Sequence, residues 1–80
     1  MSTKIILPKW GMGLEEGTVI RWLKSVGDRV EQGEPLVEIE TAKATQEVEA
    51  PASGTLSQIL LREGETALVN TEIGVIEESV

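Results

Sequence analysis

The sequence predicts an all-β sandwich or barrel, and three observations carry that reading. Within each of two similar halves, short apolar runs with period-two stretches are punctuated by glycine every six to ten residues. The one stretch that could pass for a helical turn, residues 20–26, has no N-cap and is bracketed closely by Gly17 and Gly27. The chain also repeats itself: residues 17–40 align without gaps on residues 54–77, at an offset of 37. Gly17/Gly54, Thr18/Thr55, Leu23/Leu60, Gly27/Gly64, Ile39/Ile76 and Glu40/Glu77 are identical pairs. Val19/Leu56, Trp22/Ile59, Asp28/Glu65, Val30/Ala67 and Leu36/Ile73 are similar ones. Gly33 aligns with Asn70, the two residue types that best tolerate a positive φ in turns. The period is too long and the copies too few for a solenoid, so the repeat predicts one fold built from two similar units.

Strands are expected near 4–8, 18–23, 28–31, 36–40, 45–49, 55–61, 66–69 and 73–77. Pro8 ends the first, Pro35 precedes the fourth and Pro51 follows the fifth. All three lie at element edges, where a missing N–H costs little. The halves differ in one place. Between its proline and its Gly-Thr pair the first half carries Lys9-Trp10-Gly11-Met12-Gly13-Leu14-Glu15-Glu16, where the second has only Ala52-Ser53. That extra loop, rich in glycine, is not expected in the core. Trp22 aligns with Ile59 and is expected as a partly buried strand residue, whereas Trp10 has no counterpart and is expected to be exposed.

Eighty residues bound the chain to one small domain, 1–80. A chain of this size buries only about 60% of its unfolded surface. Its apolar content of 40% is enough for a real core. With neither cysteine nor histidine, disulfides, the usual zinc sites, Ser-His-Asp triads and Cys-His dyads cannot be built. The lack of cysteine agrees with a reducing compartment. No secretory or transit segment is seen and no apolar run is longer than the three residues of Ile5-Ile6-Leu7, so a cytoplasmic protein outside the membrane is expected.

Net charge is −7, and its distribution says more than its sum. Residues 1–30 carry five bases against three acids, and residues 31–50 carry six acids against one base, Lys43. Residues 63–80 carry five acids and no base. A surface this acidic repels phosphate backbones, which argues against nucleic acid as a partner. The acids serve solubility in any case. Around Lys43 they also form a collar that a partner enzyme could read.

Lys43 lies in Glu40-Thr41-Ala42-Lys43-Ala44-Thr45, expected as the tip of a hairpin. A two-residue Ala42-Lys43 loop pairs Thr41/Ala44, Glu40/Thr45, Ile39/Gln46, Glu38/Glu47 and Val37/Val48 across the strands. Val37, Ile39 and Val48 then share the core face, and Glu38, Glu40, Glu47 and Glu49 share the other. Glu38 opposite Glu47 is an unfavourable like-charge pair that a purely structural hairpin would avoid. The loop lacks the Asn-Gly or Gly residues preferred in two-residue turns, which predicts a type I turn or a slightly longer loop. Thr41 and Thr45 suit strand ends and need no functional account. A lone lysine at an exposed tip is commonly just solvated. Flanking alanines, however, leave its amine sterically open, which is what a covalent anchor on a rigid base requires.

Several motifs fall in order along the chain. They are Pro8-Lys9-Trp10-Gly11-Met12, Glu16-Gly17-Thr18-Val19, Val26-Gly27-Asp28-Arg29-Val30, Gly33-Glu34-Pro35-Leu36, Ile39-Glu40-Thr41-Ala42-Lys43-Ala44 and Ala50-Pro51-Ala52-Ser53-Gly54-Thr55-Leu56. Together they resemble a lipoyl domain, over roughly residues 4–77, of the kind found at the N-terminus of the acyltransferase component of 2-oxo acid dehydrogenase complexes. The resemblance implies a flattened β-barrel of two four-stranded antiparallel sheets related by quasi-twofold symmetry. It implies lipoic acid in amide linkage to Lys43, attached by a lipoate ligase or lipoyltransferase. The dithiolane would accept an acyl group from a thiamine-diphosphate decarboxylase, deliver it to coenzyme A at the acyltransferase core and be reoxidised by dihydrolipoyl dehydrogenase. On this reading the domain is a monomeric carrier without catalysis of its own, excised from a larger subunit or free-standing. Ala42, Ala44, Glu38, Glu40, Glu47, Glu49 and Trp10 are the recognition candidates. One position departs from the family pattern: Ala42 stands where Asp usually precedes the lysine, which bears on recognition and leaves the acceptor amine in place.

Two alternatives share the fold. Biotinyl carrier domains place a lysine on the same hairpin but typically flank it with methionines, and Met1 and Met12 are elsewhere. A lipoyl-like interaction module with an unmodified Lys43 is the other.

Overall fold

Eight strands and no helix make up the residues described, 2–9 and 15–78, of this computed structural model. The strands are β1 (Ser2–Ile6), β2 (Glu16–Trp22), β3 (Arg29–Val30), β4 (Pro35–Glu40), β5 (Thr45–Glu49), β6 (Gly54–Ile59), β7 (Thr66–Leu68) and β8 (Glu72–Glu77). One antiparallel sheet has the order β1-β8-β6-β3 and the other β5-β4-β2-β7. Exchanging β1 with β5, β2 with β6, β3 with β7 and β4 with β8 converts one order into the other. The sequence repeat is therefore a repeat in space, and the two sheets are interleaved. Each has a central pair from one half of the chain and both edges from the other. The Cα envelope measures 39 × 21 × 17 Å, flattened as expected.

The symmetry reaches individual hydrogen bonds. Gly27 donates to the Leu56 carbonyl at 2.7 Å and Leu56 to that of Asp28 at 2.9 Å. The equivalent bonds, 37 residues on, run from Gly64 to Val19 at 2.8 Å and from Val19 to Glu65 at 2.9 Å. Each half thus presses a turn onto a strand of the other half. The four positive φ values described fall on two repeat pairs, Gly27 with Gly64 and Gly33 with Asn70. The last pair explains the alignment: Gly and Asn occupy the left-handed conformation at least cost.

Between the sheets lies one core whose fully buried members include Ile5, Leu7, Leu36, Ile39, Leu56, Ile73 and Ile76. Each such side chain contributes about 1.5–3 kcal/mol of burial energy. Trp22 and Ile59, a repeat pair, are half-buried and pack against it. The Trp22 indole N–H finds the Leu61 carbonyl at 2.7 Å, so its polar edge is satisfied.

Most strand limits follow the expectation, and the exceptions have local causes. β1 begins at Ser2, two residues before the expected start, because the polar run Ser2-Thr3-Lys4 pairs as an edge strand with β8. It stops at Ile6, since the Leu7 N–H and carbonyl are taken by Thr71 and Asn70. β6 stops at Ile59, not at residue 61: the amides of Leu60 and Leu61 both turn to the Ile73 carbonyl, at 2.9 and 3.3 Å, and the ladder ends there.

Two features of this frame are testable. Gly54 is buried where β6 begins to pair with β8: a Cβ there would run into the Glu77 carbonyl oxygen and lie 2.9 Å from Ile76 Cγ2. Gly54→Ala is expected to cost about 2–3 kcal/mol in urea unfolding; a loss within experimental error would show that the strands are not this close. The second concerns the turn before β4. Glu34 Oε1 accepts the Glu31 N–H at 3.0 Å and its other oxygen meets Lys24 Nζ at 3.0 Å. The backbone hydrogen bond first, and then Lys24, hold this carboxyl below the usual glutamate range. A lowered pKa in the folded state stabilises fully above the unfolded-state value, and that stabilisation disappears as pH falls through the folded-state value. Glu34→Gln should therefore be less stable than the parent near neutral pH and converge with it in acid. A gap that persists in acid would contradict this.

Candidate functional site

β4 and β5 form a hairpin in the expected register. Val37 faces Val48, Glu38 faces Glu47, Ile39 faces Gln46 and Glu40 faces Thr45. Val37, Ile39 and Val48 are buried on the core side. A register shift between Pro35 and Val37 accompanies burial of the consecutive Leu36 and Val37. Period-two alternation with one buried face fixes this register, because a slip of one residue would send the acidic face inward.

The four residues Thr41 to Ala44 make the tip. Ala42, Lys43 and Ala44 are exposed and Thr41 is half-buried. Neither Ala42 nor Lys43 has a positive φ, which excludes the primed hairpin turns and fits side-chain-bearing residues at both positions. The Thr41 N–H donates to the Ala44 carbonyl at 3.0 Å. The return bond from the Ala44 N–H goes to the Thr41 hydroxyl at 3.2 Å, not to the Thr41 carbonyl. That hydroxyl in turn donates to the Ala44 carbonyl at 2.7 Å. Thr41, expected to be only a strand end, thus closes the turn with its side chain. The signal was in the sequence: Ser or Thr opening a turn commonly bonds the backbone ahead of it.

Lys43 has no hydrogen bond or ion pair among the described residues. Its amine is open on a braced foot, the arrangement that fits amide attachment of an acid. Beside it lies a shallow groove of about 440 Å³, walled by Glu15, Glu16, Gly17, Thr18, Glu40, Thr41, Ala42 and Thr66. Thr18 and Thr66 share a hydroxyl hydrogen bond of 2.6 Å across β2 and β7. The fold therefore brings the end of the 9–16 loop to the lysine hairpin, and Ala42, the position that departs from the family pattern, forms part of the wall. Three glutamates and three threonines make the described lining of this groove more polar than apolar.

The acidic collar is not uniform. Glu40, Glu47 and Glu49 are exposed, but Glu38 accepts the Arg21 side chain at 2.9 Å and is half-buried. Arg21 lies opposite Glu38 on β2 and so offsets the Glu38/Glu47 repulsion from the neighbouring strand. A register shift between Val19 and Arg21 sets that pairing, which is why the neutralising base was not legible from the hairpin alone. Trp10 lies outside the described residues. Among the described residues, no group of three or more acidic side chains could hold a metal, and no helix is long and apolar enough to cross a membrane.

Comparison with known proteins agrees with this geometry. The model of the Biotin_lipoyl family, described as biotin-requiring enzyme, matches residues 3–76. The chain is 45% identical over 78 residues to the dihydrolipoyllysine-residue succinyltransferase component of the 2-oxoglutarate dehydrogenase complex of Rickettsia typhi, covering 98% of this chain and 20% of that protein. It is 42% identical over 79 residues to the dihydrolipoyllysine-residue acetyltransferase component of the acetoin cleaving system of Bacillus subtilis, covering 99% and 20%. The chain thus spans about a fifth of the length of these curated relatives. Among solved structures it matches the lipoyl domain of the dihydrolipoyl succinyltransferase component of the Escherichia coli 2-oxoglutarate dehydrogenase complex. The TM-score is 0.79, with 38% identity and 100% of both chains covered.

Proposed function

The chain belongs to the Biotin_lipoyl family, and from that premise we propose that it is a lipoyl carrier domain whose acceptor is Lys43. The observation that carries the proposal is the placement of Lys43: exposed, without a partner among the described residues, flanked by two alanines and mounted on a turn tied at both ends. Names of relatives that specify dihydrolipoyllysine favour lipoyl over biotinyl attachment.

When bound, the lipoyl group supplies a dithiolane that takes up an acyl group and is reoxidised after the group has left. The chain's own residues hold and present it. β4 and β5 fix the foot, and Ala42 and Ala44 leave room around Nζ. An arm that stays free makes each encounter inside a complex effectively intramolecular, at roughly millimolar effective concentration. The redox and acyl chemistry belong to the cofactor, so the domain itself is a carrier and not an enzyme.

The partners on this proposal are a lipoate ligase or lipoyltransferase that loads Lys43, a thiamine-diphosphate decarboxylase, an acyltransferase core and dihydrolipoyl dehydrogenase. The exposed glutamates Glu40, Glu47 and Glu49, with Glu15 and Glu16 across the groove, form the acidic surface those partners meet. Glu38 contributes less, because Arg21 neutralises it. Trp10 remains a proposed recognition residue by its place in the sequence alone. Such a domain works in the cytoplasm as part of a larger subunit.

Incubation with lipoate, ATP and a lipoate ligase is expected to add one lipoyl group, mapped by intact mass and peptide analysis to Lys43. Lys43→Arg should take up none while unfolding at the temperature of the parent. Modification by a biotin ligase alone would replace this reading with the biotinyl one, and an unfolded Lys43→Arg would make Lys43 structural.

A further inference from the structure

Thr41 holds both backbone groups of Ala44. Its hydroxyl donates to the Ala44 carbonyl at 2.7 Å and accepts the Ala44 N–H at 3.2 Å, and its own N–H reaches the same carbonyl at 3.0 Å. Only Ala42 and Lys43 lie between the tied residues. No other side chain among the described residues bonds to the backbone of this turn. The flanking alanines have nothing with which to do so. A two-residue turn without Gly or Asn lacks the intrinsic preference of primed turns for the hairpin twist. Without the hydroxyl, the Ala44 N–H would turn to water or to the Thr41 carbonyl, and each choice points residue 43 differently.

We infer that Thr41 is a positioning residue for the modification of Lys43. Its hydroxyl selects one turn conformation and so presents the ε-amine in one direction to the enzyme that acylates it. This rests on the carrier reading above. A productive conformer that is only partly populated weakens apparent affinity in proportion to its population, and fixing it beforehand removes that loss. The effect belongs in the binding of the domain to its modifying enzyme and not in the chemical step.

The test pairs Thr41→Val, which keeps the shape and removes the hydroxyl, with Thr41→Ser, which keeps the hydroxyl. The domain is the varied substrate in lipoate ligase kinetics. Thr41→Val should raise KM about three- to tenfold with kcat nearly unchanged, the range one net hydrogen bond supports. Thr41→Ser should stay within about twofold of the parent by the same reasoning. Ser57→Ala, which removes a hydroxyl bond of 3.1 Å to Val75 away from the tip, should lower Tm without moving KM. A parental KM for Thr41→Val, or equal impairment of Thr41→Ser, overturns the inference. Amide exchange gives a second reading on the unmutated protein, needed should Thr41→Val fail to fold. Slow exchange at Ala44 supports the clamp, and exchange at the unprotected rate overturns it. An unmutated protein that accepts no lipoyl group defeats the carrier reading and the positioning role with it, while Ala44 exchange still decides the clamp.

Discussion

The structure depends on one exchange: each half of the chain gives a turn to a strand of the other. Gly27 and Asp28 bond Leu56 of β6, and Gly64 and Glu65 bond Val19 of β2. The sheets are interleaved as a result, and neither half has a complete sheet of its own. β4 lies between β5 and β2, and β2 is fixed from its far side by β7 and by the turn at residues 64–65. The stiffness of the lysine hairpin is therefore inherited from both halves at once.

The same symmetry accounts for why the tip is a single feature. Residues 41–44 join the first half to the second, carrying the chain from the centre of one sheet to its edge. The equivalent position in the second half falls after β8, and no ninth strand pairs there among the described residues. A fold made of two similar units thus offers one inter-half hairpin, and its tip is free to diverge from the repeat. The repeat can keep Ile39/Ile76 identical almost up to that point because both are fully buried in the shared core.

Much of this was written in the sequence, and the reasons are specific. The 37-residue offset exposed the twofold relation because buried glycines and branched apolar residues are held by the same contacts in each half. Gly33 and Asn70 were legible as equivalents because both occupy a positive φ. The hairpin register was legible because one face had to be apolar. What escaped notice was cross-strand and local polar bonding. Arg21 meets Glu38 only through the bulge in β2, which no periodicity announces. Thr41 suits a strand end by β-propensity alone, and only the folded turn gives its hydroxyl two partners on Ala44. The groove joins residues 15–18, 40–42 and 66, which are far apart in the sequence and meet only once the sheet is assembled.

On the proposed function, Lys43 stands on a stiff foot and carries a lipoyl arm that does not rest on the domain. Backbone 15N relaxation before and after lipoyl attachment tests it most directly. A stiff foot with a free arm gives order parameters of about 0.85 at residues 41–44, equal to those of β4 and β5, with strand resonances unmoved by attachment. Values below about 0.6 at the tip, or shifts spreading across the sheet once the arm is present, would contradict it.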